Sequence, residues 1–280
     1  MSTRTERRLG QVASAPRKAL NVAGHQVEFY LRAYGFIYLV LLRYRREVLR
    51  QLGTVAFGAG GLALVGGTVV VVSVLTSSAG IEGAQQAFSA LNTIGVDALT
   101  GFITAYINIR LAAPLIAGVA LVSTVGAGFT AEIGSQRISE EIDALEVMAV
   151  PPIPFMVTSR IIAGAIAIVP IYAVAVFSGF AVTRLLVVVG FGQSPGTYDH
   201  YFSTFLIPSD VVYSFVEVIF IVIVVMSIHT YYGYNAAGGP AGVGRAVGQA
   251  VRLSLIAVFV TALLSSLVLY GNADSIHLSR

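Results

Sequence analysis

The chain has 280 residues, of which 56% are hydrophobic and only 11% are charged, and its formal net charge is +3. A soluble domain carries roughly 25% charged residues, so this composition excludes a soluble globular protein. With a mean hydropathy of +0.82, the chain is expected to be an integral membrane protein. The absence of cysteine excludes disulfide scaffolds and thiolate metal sites.

Positive charge is concentrated in the first fifty residues, which hold ten Arg or Lys and three Glu. A basic block beside the first long apolar segment follows the positive-inside rule and attracts anionic headgroups. A nucleic-acid-binding arm is the alternative interpretation, but apolar residues dominate from Phe29 onward. We therefore predict a basic cytoplasmic tail at 1–24, with no removed signal peptide and no nucleic-acid partner.

Residues 25–50 are apolar but interrupted by charges, notably Glu28, Arg32 and an arginine cluster at 43–46. Tyrosine and phenylalanine alternate with these charges, and arginine together with aromatic residues is typical of the headgroup zone. The pattern predicts an amphipathic helix that lies on the membrane surface. A sixth, weaker membrane span is the alternative.

Five apolar segments are long enough to cross a bilayer, which takes about 20 helical residues. They are predicted at about 53–79, 108–131, 158–189, 209–230 and 251–271. Residues 83–108 are predicted to lie at the outer surface, to dip into it, or to extend the second span. The expected fold is all-α, a polytopic protein of the cytoplasmic membrane. Five crossings place the N-terminus in the cytoplasm and a tail at 273–280 on the extracytoplasmic side.

The segment 131–154 holds five of the fourteen acidic residues. Apolar residues recur at helical spacing along it, with carboxylates on the other faces. It predicts a short amphipathic helix at about 135–149, which Pro151 and Pro152 end. Such a helix fits a groove on a partner protein and could couple the spans to a motor subunit. A solvated helix that packs on its own protein is the alternative.

The sequence offers no ATPase chemistry of its own. A P-loop needs Gly-Lys-Ser/Thr, and the one lysine, Lys18, follows Pro16 and Arg17. The glycine-rich stretch 238–248 follows a predicted span rather than a strand, so it is not expected to bind nucleotide. The four histidines show no metal-ligand spacing. We expect a subunit without a catalytic site, metal or cofactor, whose partner binds ATP and Mg²⁺.

Two blocks resemble the MlaE/YrbE family of ABC-transporter permeases. Within the first, the matching residues are Ala131, Glu132, Ile133, Gly134, Glu140, Ile142, Asp143, Ala144, Leu145, Met148, Val150 and Pro152. The second block, at 231–251, matches through Gly238, Gly239, Gly242, Val243, Gly244 and Ala246. The glycine-rich sequence at 238–248 and the basic N-terminus look most like those of the actinobacterial YrbE permeases of Mce lipid-transport systems.

The resemblance implies a permease that moves hydrophobic lipids such as fatty acids or sterols. It implies cytoplasmic ATPase subunits, a second permease, typically a different YrbE protein, and extracytoplasmic MCE-domain proteins as partners. The residues expected to couple to the ATPase are Glu132, Arg137, Ile138, Glu140, Glu141, Ile142, Asp143, Leu145 and Met148. The second cytoplasmic loop is expected to contribute Gly238, Gly239, Gly242, Gly244 and Arg245.

One departure concerns a family pattern, R-E-x-x-P, ahead of the second span. Here Arg110 and Pro114 are present, but Leu111 replaces the glutamate. Our hypothesis is that a non-identical partner permease supplies the missing acid. Asp97, Arg110 and Glu217 are the candidate intramembrane or pathway charges.

Two other function classes remain as alternatives. An ion-coupled secondary transporter would need titratable groups at the midplane, usually within inverted repeats, and only Glu217 fits. A non-transporting membrane scaffold is the second alternative. Substrate identity and transport direction do not follow from the sequence.

Overall fold

The structure, a computed structural model, describes residues 24–57 and 62–271. Within these residues the chain is helical, without a β-strand. Four helices are long and apolar enough to cross a membrane: Asp97–Ile138, Ile153–Gly190, Pro208–Tyr234 and Gly239–Tyr270. The expected all-α, polytopic membrane fold is confirmed. The predicted tails, 1–24 and 273–280, lie outside the described residues except for Gly24, which is helical.

Three short helices replace the single helix predicted at 25–50. They are α1 (24–35), α2 (Ile37–Arg43) and α3 (Arg45–Phe57). Phe36 and Tyr44, which separate the three helices, are not helical, and each helix contacts the bundle. In α1 the Tyr34 hydroxyl lies 2.6 Å from the Ser227 hydroxyl, whereas Val40 of α2 and Val48 of α3 pack with Ile162.

The next long helix, α4 (Leu62–Thr93), has 32 residues and Glu82 as its single charge. The last described helix, Gly239–Tyr270, has the same length. The role of α4 as a fifth membrane crossing stays a prediction. Residues 58–61 of the predicted first span lie outside the described residues. The chain turns at Gly95, whose φ of +73° favours glycine. Of residues 83–108, the first half completes α4 and the second half begins the next long helix, which agrees with the expected extension of the second span. Their position relative to the membrane surface stays a prediction.

That long helix, Asp97–Ile138, is interrupted twice. Its α-helical parts are α5 (Thr100–Ile107), α6 (Ala113–Leu121) and α7 (Ala127–Ile138). They are joined by π-helical turns at Asn108–Ala112 and Val122–Gly126. Such turns widen a helix locally and often mark functional positions.

The remaining elements complete the bundle. After α8 (Glu141–Val147) come α9 (Ser159–Leu185), α10 (Pro195–Phe205), α11 (Pro208–Tyr234) and α12 (Gly239–Tyr270). The turns at 138–153 and 234–239 share one end of the bundle, which we name the proximal end. Residues 93–97 and 190–208 form the opposite, distal end.

Helix α11 lies at the centre, against α6, α7, α9 and α12. Its buried apolar face includes Val218, Ile221, Val222 and Val225. A small residue permits its close approach to α9, since a Cβ at Gly164 would lie 2.6 Å from the sulfur of Met226. Close backbone approach of this kind is how helices associate in lipid, where hydrophobicity does not drive them together.

Candidate functional site

The acidic segment forms a corner at the proximal end rather than one helix. Helix α7 ends at Ile138, and α8 begins at Glu141 and has only seven residues. Between them Glu140 adopts a left-handed conformation with φ of 61°, and Ala149 does the same after α8 with φ of 57°. The prediction of one continuous helix at 135–149 is therefore wrong, because Glu140 leaves the right-handed helical conformation and ends the helix.

Helix α8 buries one side chain completely and exposes most of the others. Ile142 is fully buried, whereas Glu141 and Asp143 on either side of it are exposed. Val147 is 88% exposed and Met148 is 63% exposed, so the corner presents apolar side chains beside carboxylates. Sequence reasoning did not single out Val147, because it lies off the helical spacing of Ile138, Ile142 and Leu145.

Polar contacts hold the corner in shape. The Arg137 guanidinium donates to the Asp143 carboxylate at 3.1 Å, across the turn. The Ser139 hydroxyl donates to the Glu141 carboxylate at 3.1 Å. Ile138 and Leu145 are half-buried. Of the predicted coupling residues, all but Glu132 thus belong to one compact corner.

Glu132 faces a different neighbour, the buried Arg160 of α9. Its carboxylate lies 2.8 Å from the Arg160 guanidinium, which also donates to the Gln136 amide oxygen at 3.1 Å and to the Met156 carbonyl at 2.9 Å. Arg160 is 1% exposed. Arg160 was not among the predicted site residues, although it is the third residue of the span predicted at 158–189, where a buried arginine needs a partner.

Helix α3 places a buried acid, Glu47, near this cluster. Glu47 accepts two hydrogen bonds from Arg50, at 2.7 and 2.8 Å, and one from Gln51 at 2.6 Å. Burial by itself raises the pKa of the Glu47 carboxyl, but these hydrogen bonds outweigh it, so that the pKa lies below its ordinary value. The carboxylate is therefore charged and points inward, toward the bundle.

The glycine-rich block contacts the acidic corner's helix. Gly238 and Gly239 have φ of +90° and +70° and start α12. A Cβ at Gly242 would lie 1.9 Å from the Ala237 carbonyl oxygen, so the turn requires glycine there. A Cβ at Gly134 would lie 3.0 Å from Val243, so the two sequence blocks pack directly on each other.

The rest of this loop is open. Gly244 has free space where a Cβ would be, and Arg245 is exposed. Arg245 borders a cleft of about 430 Å³ together with Tyr232 and Gln249. A second cleft, of about 540 Å³, adjoins it and is bordered by residues of α1 and α11. The proximal end thus offers both a protruding corner and adjacent recesses.

The three predicted intramembrane charges lie in three different settings. Asp97 starts a helix at the distal end, where its backbone carbonyl accepts hydrogen bonds from Thr100 and Gln193. Arg110 is buried and paired with Asp210 of α11. Glu217 is 1% exposed, and its Oε2 atom has no hydrogen-bond partner within the described residues.

The hypothesis that a partner permease supplies the acid for Arg110 loses its motive. Arg110 donates to both carboxylate oxygens of Asp210, at 2.9 and 3.0 Å. Leu111, at the position of the expected glutamate, is 56% exposed. Asp210 of the same chain thus takes the place of the glutamate that the family pattern has directly after the arginine.

Comparison with known proteins relates the chain to membrane permeases. Residues 60–268 match the family model described as Permease MlaE. The chain is 28% identical over 208 residues to the chloroplastic protein TRIGALACTOSYLDIACYLGLYCEROL 1 of Arabidopsis thaliana, a match that covers 73% of this chain and 59% of that protein. It is 27% identical over 251 residues to a probable ABC transporter permease protein of Synechocystis, covering 88% of this chain and 91% of the relative.

A probable ABC transporter permease protein of Rickettsia bellii is also 27% identical, over 191 residues that cover 68% of this chain and 74% of the relative. The family match includes the proximal corner, the glycine-rich loop and all four helices of spanning length. The chain belongs to the MlaE family of ABC transporter permeases.

Proposed function

We propose that this permease moves lipids with energy from a separate ATPase subunit, which binds the corner formed by α7 and α8. The observation that carries the proposal is the corner's shape. It is held by the buried Ile142, while Val147, Met148 and the acidic residues around them face outward. Apolar anchors with charged flanks are what a helix presents to a groove on another protein.

Closure of the ATPase would then reach the membrane through two contacts. Helix α7 is joined to α8 by the short turn at Ser139 and Glu140 and leads into the bundle. Glu132 of α7 is paired with Arg160 of α9. The glycine-rich loop packs on Gly134 of the same helix. Movement of the corner would therefore shift α7, α9 and α12 together.

Two observations support a lipid substrate: the name of one relative, and the apolar outer surface of the helices. The name of the Arabidopsis relative is that of a glycerolipid. Helix α12 exposes a continuous apolar face that includes Ile256, Phe259, Leu263 and Leu267. Such a face suits lipid or another permease subunit. We propose that it pairs with a second permease, a different YrbE-type protein, and that MCE-domain proteins bind at the distal end.

The orientation follows from the same proposal. The proximal end would face the cytoplasm, where ATP is available, and the distal end the extracytoplasmic side. The arginine-rich helices α2 and α3 pack near the proximal end, on Ile162, which accords with the positive-inside rule.

The test replaces the exposed apolar pair of the corner. Val147→Ser and Met148→Ser together should leave membrane insertion intact but remove the ATPase subunit on detergent purification. The matched control is Ile94→Ser, since Ile94 is 71% exposed in the turn at the distal end. Full recovery of the ATPase with the double variant, together with unchanged lipid transport, would show that the corner is not the docking site.

Lipid mass spectrometry of the purified complex tests the substrate. Lipids of one class should be enriched over their share in the surrounding membrane, and incubation with ATP should lower that enrichment. A lipid profile identical to the bulk membrane, with or without ATP, would contradict lipid transport while leaving ATPase docking unaffected.

A further inference from the structure

The arginines of the N-terminal helices fall into two groups. Arg32 pairs with Glu28, and Arg50 with Glu47. Arg43, Arg45 and Arg46 are exposed, and none of them has an ion pair or a side-chain hydrogen bond within 24–57 and 62–271. Three uncompensated positive charges thus lie within four residues, where α2 meets α3.

Helix stability does not account for this placement. Arg45 and Arg46 occupy the first turn of α3, where the helix dipole disfavours positive side chains. The acid of that turn, Glu47, is buried and bound by Arg50 and Gln51. The positive charge at the junction is therefore not neutralised by an acid within the described residues, and it is available to a partner outside them.

The junction is held at a fixed level of the bundle. The Tyr44 ring packs edge-on against Phe155 with centroids 5.7 Å apart, and Val40 and Val48 pack with Ile162. Both partners belong to the first turns of the long helix Ile153–Gly190. The arginines consequently lie beside the proximal end of a membrane span, at the level expected for headgroups.

Apolar side chains surround the arginines on the outer surface. Tyr38 is 76% exposed, and Leu41, Leu42 and Leu49 are exposed as well. A helix pair with exposed leucines and an aromatic ring beside arginines is suited to lie in the membrane interface, with its apolar groups among acyl chains. Uncompensated arginines in that position attract anionic lipid.

We propose that Arg43, Arg45 and Arg46 form a basic surface that binds anionic phospholipid headgroups of the leaflet at the proximal end. The surface is distinct from the α7–α8 corner. It is a place where lipid composition would act on α3, and through Val48 and Ile162 on α9.

The chain has no tryptophan, which allows a direct measurement. Tyr38→Trp introduces one fluorophore on α2, five residues before Arg43. The purified full chain, without the ATPase, is reconstituted into bilayers that contain brominated phosphatidylglycerol or brominated phosphatidylcholine. At low salt we expect phosphatidylglycerol to bind at this position at least about threefold more strongly, as judged by quenching.

Two further measurements make the proposal falsifiable. Arg43→Gln, Arg45→Gln and Arg46→Gln together, or 0.5 M salt with the unaltered arginines, should bring the two lipids to about equal quenching. Arg32→Gln is the matched control, because Arg32 is already paired and its loss should leave the preference intact. A tryptophan at Leu267, at the distal end of α12, should show no preference.

Equal quenching by both lipids with the arginines in place would overturn the proposal. So would a preference that survives both the triple variant and high salt. Weak quenching by either lipid, with loss of the ATPase subunit from the triple variant, would assign the surface to a protein partner instead. Because the lipid measurement needs no ATPase, its failure is separable from failure of the docking proposal.

Discussion

Arg110 and Asp210 form a buried two-pronged ion pair between the second long helix and the start of α11. The guanidinium is also sandwiched between two aromatic rings, 4.5 Å from the Tyr106 centroid and 4.4 Å from the Tyr270 centroid. The Tyr270 hydroxyl donates to the Asp210 carbonyl at 3.3 Å. Three helices, including the last turn of α12, are therefore fastened together toward the distal end of the bundle.

Removing one partner of this pair should destabilise the chain strongly. Asp210→Asn leaves the buried Arg110 charge without its counterion, a change that typically costs about 3–5 kcal/mol. We expect a clear fall in the thermal unfolding midpoint, measured in detergent by fluorescence-detected size exclusion. The combined Arg110→Met and Asp210→Asn variant should recover part of the loss, because no unpaired charge remains.

The exposed pair Arg184–Asp199 is the matched control, since it has the same bidentate geometry with both contacts at 2.8 Å. Asp199→Asn should leave the midpoint unchanged within error, because solvent screens that pair. A fall as large as that of Asp210→Asn would mean that geometry, rather than burial, determines the strength of these pairs.

The pair also shows what sequence patterns can and cannot predict. The apolar runs indicated the polytopic membrane fold, because bilayer thickness imposes a length on each span. The apolar spacing drew attention to Ile142, but as a contact for the ATPase, whereas the structure buries its side chain against the bundle. The pairing of Arg110 with Asp210, one hundred residues away, could not be predicted from the residues around either position, because it depends on which helices become neighbours.

The break at Glu140 was missed for a related reason. A left-handed backbone at a non-glycine residue is unusual, and Ser139 and Glu140 belong to a run whose apolar spacing continues on both sides. Periodicity therefore predicted one helix where tertiary contacts, among them the Arg137–Asp143 pair, favour a corner. Likewise Asp97 was expected within an apolar segment, although it starts a helix.

Gly126 should tolerate no side chain, whereas Gly128 should. A Cβ at Gly126 would lie 2.5 Å from the His229 ring, and the same atom at Gly128 would meet nothing within 4 Å. We expect Gly126→Ala to lower stability by about 1–3 kcal/mol through overpacking. The measurement is again the unfolding midpoint in detergent.

The imidazole is fixed in place, which is why it cannot simply move aside. His229 is fully buried, with its Nδ1 atom 2.7 Å from the Thr130 hydroxyl. The second substitution His229→Ala should therefore relieve much of the Gly126→Ala defect. Equal stability of Gly126→Ala and Gly128→Ala would contradict the close approach of these two helices.

Gly242 and Gly244 provide a second matched pair, in the glycine-rich loop. Gly242→Ala places a methyl group against the Ala237 carbonyl, whereas the space at Gly244 is open. We expect Gly242→Ala to distort the start of α12 and its contact with Gly134, and so to reduce both recovery of the ATPase subunit and transport. Gly244→Ala should behave like the unaltered chain. Loss of the ATPase from both variants would instead indicate that Gly244 touches the motor directly.

The pair Glu132–Arg160 should matter for transmission of movement rather than for ATPase binding. Arg160→Met removes the polar link between α7 and α9 but leaves the exposed surface of α8 untouched. We expect the ATPase subunit to co-purify in normal amount and to hydrolyse ATP, while the number of lipid molecules moved per ATP falls severalfold.

Arg160→Lys should restore part of that ratio, because an ammonium can pair with Glu132 but cannot also reach Gln136 and the Met156 carbonyl as a fork. Arg184→Gln is the control for loss of charge alone, since Arg184 pairs with Asp199 near the distal end, away from the corner. Loss of the ATPase together with transport in Arg160→Met would show that Arg160 supports the docking corner itself. An unchanged ratio would show that movement reaches the membrane through α12 and its contact with Gly134.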